Sequence, residues 1–326
     1  AIRPEELPNL CKKNFMPAVG ITDTGNLFGA LEISDLLVEN GIQPLIGCEI
    51  KLLQNTLDNN NNKIYSDIVL LSQNENGYKN LLKLSSEFFL NQKSPKLALD
   101  FSQLKKYSSD LILLCGGSSG IIGVDLLNNK KNEAKNTTRY LKEIFDNRFY
   151  IEIQRHGYDT TIRTKEEEET ENLLLELADD NEIPIVATNN VHFKDRNSFE
   201  AQDVLLCIAQ NAYLDQEADR ERLTQEHYFK STVEMRNLFD DLPEAVDNTL
   251  EIAIRCTFRP KKRKPLLPKF ASNEKEELRR QAEDGLLNRI KTNPLYDTNE
   301  VYQKRLNYEL EIIEKMGFPG YFLIVA

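Results

Sequence analysis

The chain has 326 residues, 40% of them hydrophobic and 29% charged, enough apolar material for one large α/β domain or two ordinary ones. Its 52 acidic against 41 basic residues give a net charge of −11, which excludes a protein that by itself binds mainly by gripping phosphate backbones. No apolar run approaches the roughly 18 residues of a membrane-spanning helix, and AIRPEELPNL at the start has no basic segment followed by an apolar core. Five scattered cysteines without a CxxC pair fit a reducing, cytoplasmic setting rather than a disulfide framework or a zinc ribbon.

Taken in chain order, β-branched or aliphatic runs at 18–22, 45–53, 67–71, 111–115, 149–153 and 183–188 predict six strands. Several are almost continuously apolar, as strands covered on both faces are, so all six are expected to run parallel. Amphipathic patterns predict helices at 26–40, 78–90 and 166–180, the first stopped by Asn40-Gly41. This alternation points to β-α-β units in an α/β barrel or doubly wound sheet. The asparagines at 59–62 read as a loop tip, and the acidic run at 166–169 as a solvated helix start.

Beyond residue 188 the texture turns helical, with patterns at 197–210, 231–239 and 243–256. The stretch RPKKRKP at 259–265 packs like charge between prolines and marks a boundary. Its plain role is a solvated connector; its sharper one is DNA contact through Lys261, Lys262, Arg263 and Lys264. Helices at 273–291 and 299–316 follow, with GFPG at 317–320 expected to stop the second. The apolar run at 321–326 reads as an interior point of a longer polypeptide.

Parallel α/β architectures gather their sites at strand ends. Those ends hold Asp23, Thr24, Glu49, Gly116-Gly117, Gln154-Arg155-His156 and Asn189-Asn190-Val191-His192. Carboxylates, imidazoles and amides in such places are the donor types of a divalent-metal hydrolase or its remnant. Spacing alone is a weak signal. A lone histidine after a strand is more often structural, the expectation for His156 and His227, and a glycine pair there more often serves a turn than a phosphate. No P-loop, no GxGxxG after the first strand, no GxSxG and no HExxH occurs, so those chemistries lack their residues.

At these strand ends the sequence resembles the amino-terminal region of bacterial replicative DNA polymerase III alpha subunits. The resemblance is carried by AVGITDTGNLFGA at 18–30, PLIGCE at 44–49, LL at 70–71 with NGYKNL at 76–81, and PIVATNNVHF at 184–193. FKS at 229–231 with EM at 234–235, LLPKF at 266–270 and YELEIIEKMGFPGYFLIV at 308–325 extend it nearly end to end.

It implies that residues 1–260 form a PHP (polymerase and histidinol phosphatase) domain, a distorted (β/α)7 barrel here without its first strand, since the chain begins just after the place where the family has that strand and its His-x-His. Residues 261–326 are implied to be a basic linker and the first helices of the polymerase palm. The palm carboxylates lie outside the chain, so no residue here is expected to catalyse DNA synthesis by itself. At the family's metal positions Glu49 and His192 match, while Thr24 and Asp67 replace histidines, Gly117 a cysteine and Asn190 an aspartate. Glu49, Asp67 and His192 remain as weak ligands, Asp23 and His156 at the site's edge, and no tight metal or other cofactor is expected in this chain. Magnesium belongs to the full-length polymerase. The implied partners are the proofreading exonuclease subunit, other holoenzyme subunits and, through other regions, primer–template DNA, but no membrane. The alternative is a metal-dependent PHP phosphoesterase or 3′–5′ exonuclease, which needs a working multi-metal cluster.

Overall fold

The computed structural model describes residues 2–57, 62–90, 97–158, 160–215, 220, 222–263, 267–292 and 299–326. Lys264 and all but the last of the asparagines predicted as a loop tip lie outside the described residues. The chain divides into two compact units, Ala1–Lys261 and Lys262–Ala326.

In the first unit β1 (Ala18–Ile21), β2 (Gln43–Leu57), β3 (Lys63–Ser72), β4 (Leu111–Gly116), β5 (Phe149–Gln154) and β6 (Ile185–Thr188) form one sheet in sequence order. The sheet curls into a half-barrel. Each predicted apolar run becomes a strand, but the expectation that all six run parallel fails at β3. β1–β2, β4–β5 and β5–β6 are parallel pairs, whereas β3 is antiparallel to both β2 and β4. The reason lies in strand length. β2 and β3 run beyond their apolar cores, so only residues 58–62 separate them. A parallel crossover needs a dozen or more residues; so short a connection makes a hairpin.

Side chains alternate between the sheet's two faces. On the convex face Ile50, Leu70, Leu113, Cys115, Ile151 and Ile185 are buried with Leu81, Ile122, Leu141 and Leu174 from the intervening helices. The opposite parity lines the concave face. There Leu45, Leu71, Ile112, Leu114, Tyr150 and Val186 form an apolar floor closed by Ile252 and Cys256, at the end of the helix Pro243–Arg255. Further along the same face the parity brings up Glu49, Lys51, Asp67, Glu152 and Thr188. One face thus changes from apolar to polar along its strands.

The helix predicted from residue 26 begins at Ala30, because Asn26 is spent in a turn: its side chain donates to the Thr24 carbonyl (3.0 Å) and accepts the Phe28 N–H (3.1 Å). Helices at Leu7–Lys13, Phe101–Lys106, Ile121–Leu127 and Lys131–Phe145 were not among those predicted.

In the second unit the helices Glu274–Thr292 and Asn299–Met316 meet through Leu278 and Leu310, joined by Leu323 of the helix Pro319–Val325. Arg279 pairs with Glu314 at 2.6 Å. Gly317, at φ 77°, ends the second helix as expected, but the stop is brief. Pro319 occupies the first turn of the next helix, where its missing N–H costs nothing. Among the described residues no helix is long and apolar enough to cross a membrane.

Candidate functional site

The reversal of β3 sets the acidic part of the site. In a parallel sheet Asp67, at the start of its apolar run, would sit at the end opposite Glu49. Running antiparallel, β3 places Asp67 directly across from Lys51 and two residues along from the Glu49 level. Lys51 Nζ lies 2.7 Å from Asp67 Oδ1, with both side chains partly exposed. Glu49 Oε1 accepts a hydrogen bond from Thr24 Oγ1 at 2.9 Å. The loop bearing Thr24 is held there by the backbone: Gly25 N–H donates to the Glu49 carbonyl (2.7 Å) and Glu49 N–H to that of Asp23 (3.2 Å). Burial, and then the neighbouring Asp67 carboxylate, push the Glu49 carboxyl above its ordinary range.

From β5, the buried Glu152 accepts a hydrogen bond from Thr188 Oγ1 of β6 at 2.6 Å. Burial also raises its pKa, and the hydroxyl only partly opposes this. Gly117 sits in a left-handed turn at φ 60°, and a Cβ there would fall 2.9 Å from Gln154 Oε1. Its lack of a side chain therefore has a local backbone reason. Asp23, by contrast, is exposed at the rim.

Past the ends of β5 and β6 lies a different chemistry. Arg155 is buried, bonded through Nη2 to Glu171 (2.6 Å), through Nη1 to Asp241 (2.7 Å), and to the Leu238 carbonyl (2.8 Å). Next to it, the His156 backbone N–H and ring Nδ1 both face Glu167, the ring at 2.8 Å. The Asn190 N–H donates to His156 Nε2 (3.2 Å), which leaves the ring proton on Nδ1, toward Glu167. Glu167 itself is fixed in the capping box of the helix Lys165–Asp180, begun by Thr164.

His227 stacks on His156 with ring centroids 4.0 Å apart and an interplanar angle of 13°, and His192 lies 6.0 Å from His227. All three histidines of the chain thus meet. His227 Nδ1 accepts the Thr224 N–H (3.2 Å), and burial followed by the two neighbouring rings pushes its pKa down to about 3. Burial and the nearby His156 lower His192 as well.

Of the sequence-expected positions, Thr24 and Glu49 are brought into direct contact, as are Asn190 (through its backbone) and His156. Asp67 is held by Lys51, a residue that sequence reading did not single out. Glu152 was also missed, although a glutamate two residues from Tyr150 and Gln154 in FYIEIQ carries the period-two signal of a strand with a partly polar face. Lys261, Lys262 and Arg263 are exposed at the boundary between the units.

A multi-metal cluster needs several anionic or imidazole donors aimed at shared positions. Among the described residues no group of three or more His, Cys, Asp or Glu side chains converges in that way. Thr24 gives its hydroxyl proton to Glu49, Asp67 is bonded to an ammonium, Gly117 has no donor, and both ring nitrogens of His156 are engaged. The residues present do not fit such a cluster.

Residues 1–156 match the family model described as "PHP domain", and residues 276–326 the model described as "Bacterial DNA polymerase III alpha NTPase domain". The chain is 42% identical, over its whole length and 28% of the relative's, to the DNA polymerase III subunit alpha of Caulobacter vibrioides. Over its whole length the chain is a homologue of bacterial DNA polymerase III alpha subunits. The alpha subunit of Rickettsia felis is 38% identical over all of this chain and 27% of its own, and that of Pseudomonas aeruginosa 36% over 95% and 26%. This alpha-subunit homologue therefore spans about a quarter of the length of the curated relatives it matches. Among solved structures, a protein described as a metal-dependent phosphoesterase of Bifidobacterium adolescentis covers 58% of this chain and 82% of its own at 12% identity. Its TM-score of 0.37 is too low to bear on function.

Proposed function

We propose that this chain works as part of a replicative DNA polymerase, its PHP region serving as a scaffold that holds no tight metal and docks the proofreading exonuclease subunit. The observation that carries the reading is the likeness to alpha subunits through both units of the chain. The bonding of the retained acids supports the scaffold role, since Glu49 and Asp67 are engaged by Thr24 and Lys51 rather than left to bind an ion. Residues 1–260 act as the PHP domain and 261–326 as a basic linker leading into the palm. Nucleotidyl transfer requires magnesium held by carboxylates that this chain does not contribute, so the chain alone makes no DNA. Lys261, Lys262, Arg263 and Lys264 meet the phosphate backbone within the larger assembly, with a strong salt dependence. The setting is the cytoplasm, alongside the other holoenzyme subunits.

Two measurements on the whole chain test this. Mixed with the proofreading exonuclease of the same organism, it should elute as a stoichiometric complex from a sizing column. Supplied with manganese or zinc, it should not hydrolyse a chromogenic phosphodiester. Turnover abolished by both Glu49→Ala and His192→Ala would instead establish a PHP phosphoesterase.

A further inference from the structure

Lys51 stands among the carboxyl groups of the concave face. It alternates with Glu49 along β2, so the two project on the same side about 7 Å apart along the strand. It faces Asp67 across the β2–β3 pair, Nζ to Oδ1 at 2.7 Å. Asp67 also bridges to Gly120, and its N–H donates to the Ser119 carbonyl (3.2 Å), so this ion pair lies beside the loop that contains Gly117. Glu152, on β5, is electrostatically coupled to both Glu49 and Asp67. Three carboxyl groups on one half-enclosed face repel one another unless a positive charge lies among them. Lys51 supplies it from within the protein.

We propose that the Lys51 ammonium is the resident cation of this site, standing in place of a metal ion beside Asp67 and Glu49 and excluding divalent cations from them. This rests on the metal-free reading of the PHP region and adds its cause. A divalent ion approaching Asp67 would meet a like charge and would have to break the Asp67 pair. With the ammonium removed, Asp67 loses its partner and is left, two residues along from the Glu49 level, as an oxygen donor of the type that hard cations such as manganese and magnesium prefer.

The test is a manganese titration of the whole chain, followed by water-proton relaxation, on the wild type and on Lys51→Gln, Lys51→Arg and Lys51→Gln/Asp67→Asn. Circular dichroism checks the fold of each, and Lys51→Met replaces the glutamine variant should that one not fold. Lys51→Gln should bind manganese about tenfold or more tightly than wild type, an effect of about 1.4 kcal/mol. Lys51→Arg, which keeps the charge, should bind no better than wild type, and Asp67→Asn in the double variant should cancel the gain. Folded Lys51→Gln or Lys51→Met chains that bind no more tightly than a weakly binding wild type would overturn this inference and leave the scaffold reading standing. Tight manganese binding by the wild-type chain would overturn both.

Discussion

On β2 and β3 the concave face sets a carboxylate against an ammonium across two strands, whereas past the ends of β5 and β6 an arginine and two histidines, His156 and His227, are held by buried hydrogen bonds with His192 beside them. Exposure separates the two arrangements: the Lys51 and Asp67 side chains are 43% and 26% exposed, against 4% and 5% for Arg155 and Glu171. Water screens the first pair and leaves it interchangeable, while in the second every lost partner strands a buried polar group. The acidic side can change its ligands at little cost to folding. The histidine side is part of the fold.

The largest effect expected from this contrast is at Arg155. Replacing it by methionine leaves the buried Glu171 with Arg163 alone (3.1 Å) and releases Asp241, and should lower unfolding stability by up to about 3–5 kcal/mol in urea denaturation. A loss below about 1 kcal/mol, the range of an exposed pair, would erase the distinction between the two sides.

His156→Ala comes next. It removes the ring partner of Glu167, which keeps its bonds from the His156 and Thr164 N–H groups, and strands the Asn190 N–H, with an expected cost of about 1–3 kcal/mol by the same measurement. Retention of full stability would mean that the histidine cluster is not structural.

His227 gives the pH dependence. Its folded pKa, about 3, lies below the ordinary 6.5, so between these values the unfolded chain binds more protons than the folded one. Stability is therefore unaffected by this group above pH 6.5 and falls as the pH drops toward 3, by at most about 1.4 kcal/mol per unit. Urea midpoints at several pH values between these limits should show the slope in wild type and a shallower one in His227→Gln; equal slopes would place the sensitivity elsewhere.

The smallest effect should be Lys51→Gln, which costs at most about 1 kcal/mol, with the difference from wild type shrinking in high salt. A loss of several kcal/mol would show that the acidic side is as deeply built into the fold as the histidine side.

The strands were legible in the sequence because each contains an apolar run, and burial on both faces, against the helices on one and the apolar floor on the other, requires one. The direction of β3 was not. The segments that lengthen β2 and β3 into a hairpin carry Gln54, Lys63, Tyr65 and Ser66, polar or amphipathic residues that an apolar-run criterion leaves out. Glu49, Asp67 and His192 could be picked out by resemblance, but the partners that occupy them belong to other strands or to the far side of a pair. His227 shows the same limit. It reaches the other two histidines because the Phe193–Tyr228 bridge and the His192 N–H to His227 carbonyl bond (2.9 Å) draw a distant loop onto the end of β6. Such closures are made by tertiary contacts that no local pattern announces.

Crystals of the wild-type chain soaked in manganese test the absence of a tight metal most directly, through anomalous difference density around Glu49, Asp67 and His192. No peak should rise above the noise there, and Lys51 Nζ should remain within hydrogen-bonding distance of Asp67. A strong peak bridging Glu49 and His192, with Lys51 turned away, would contradict it.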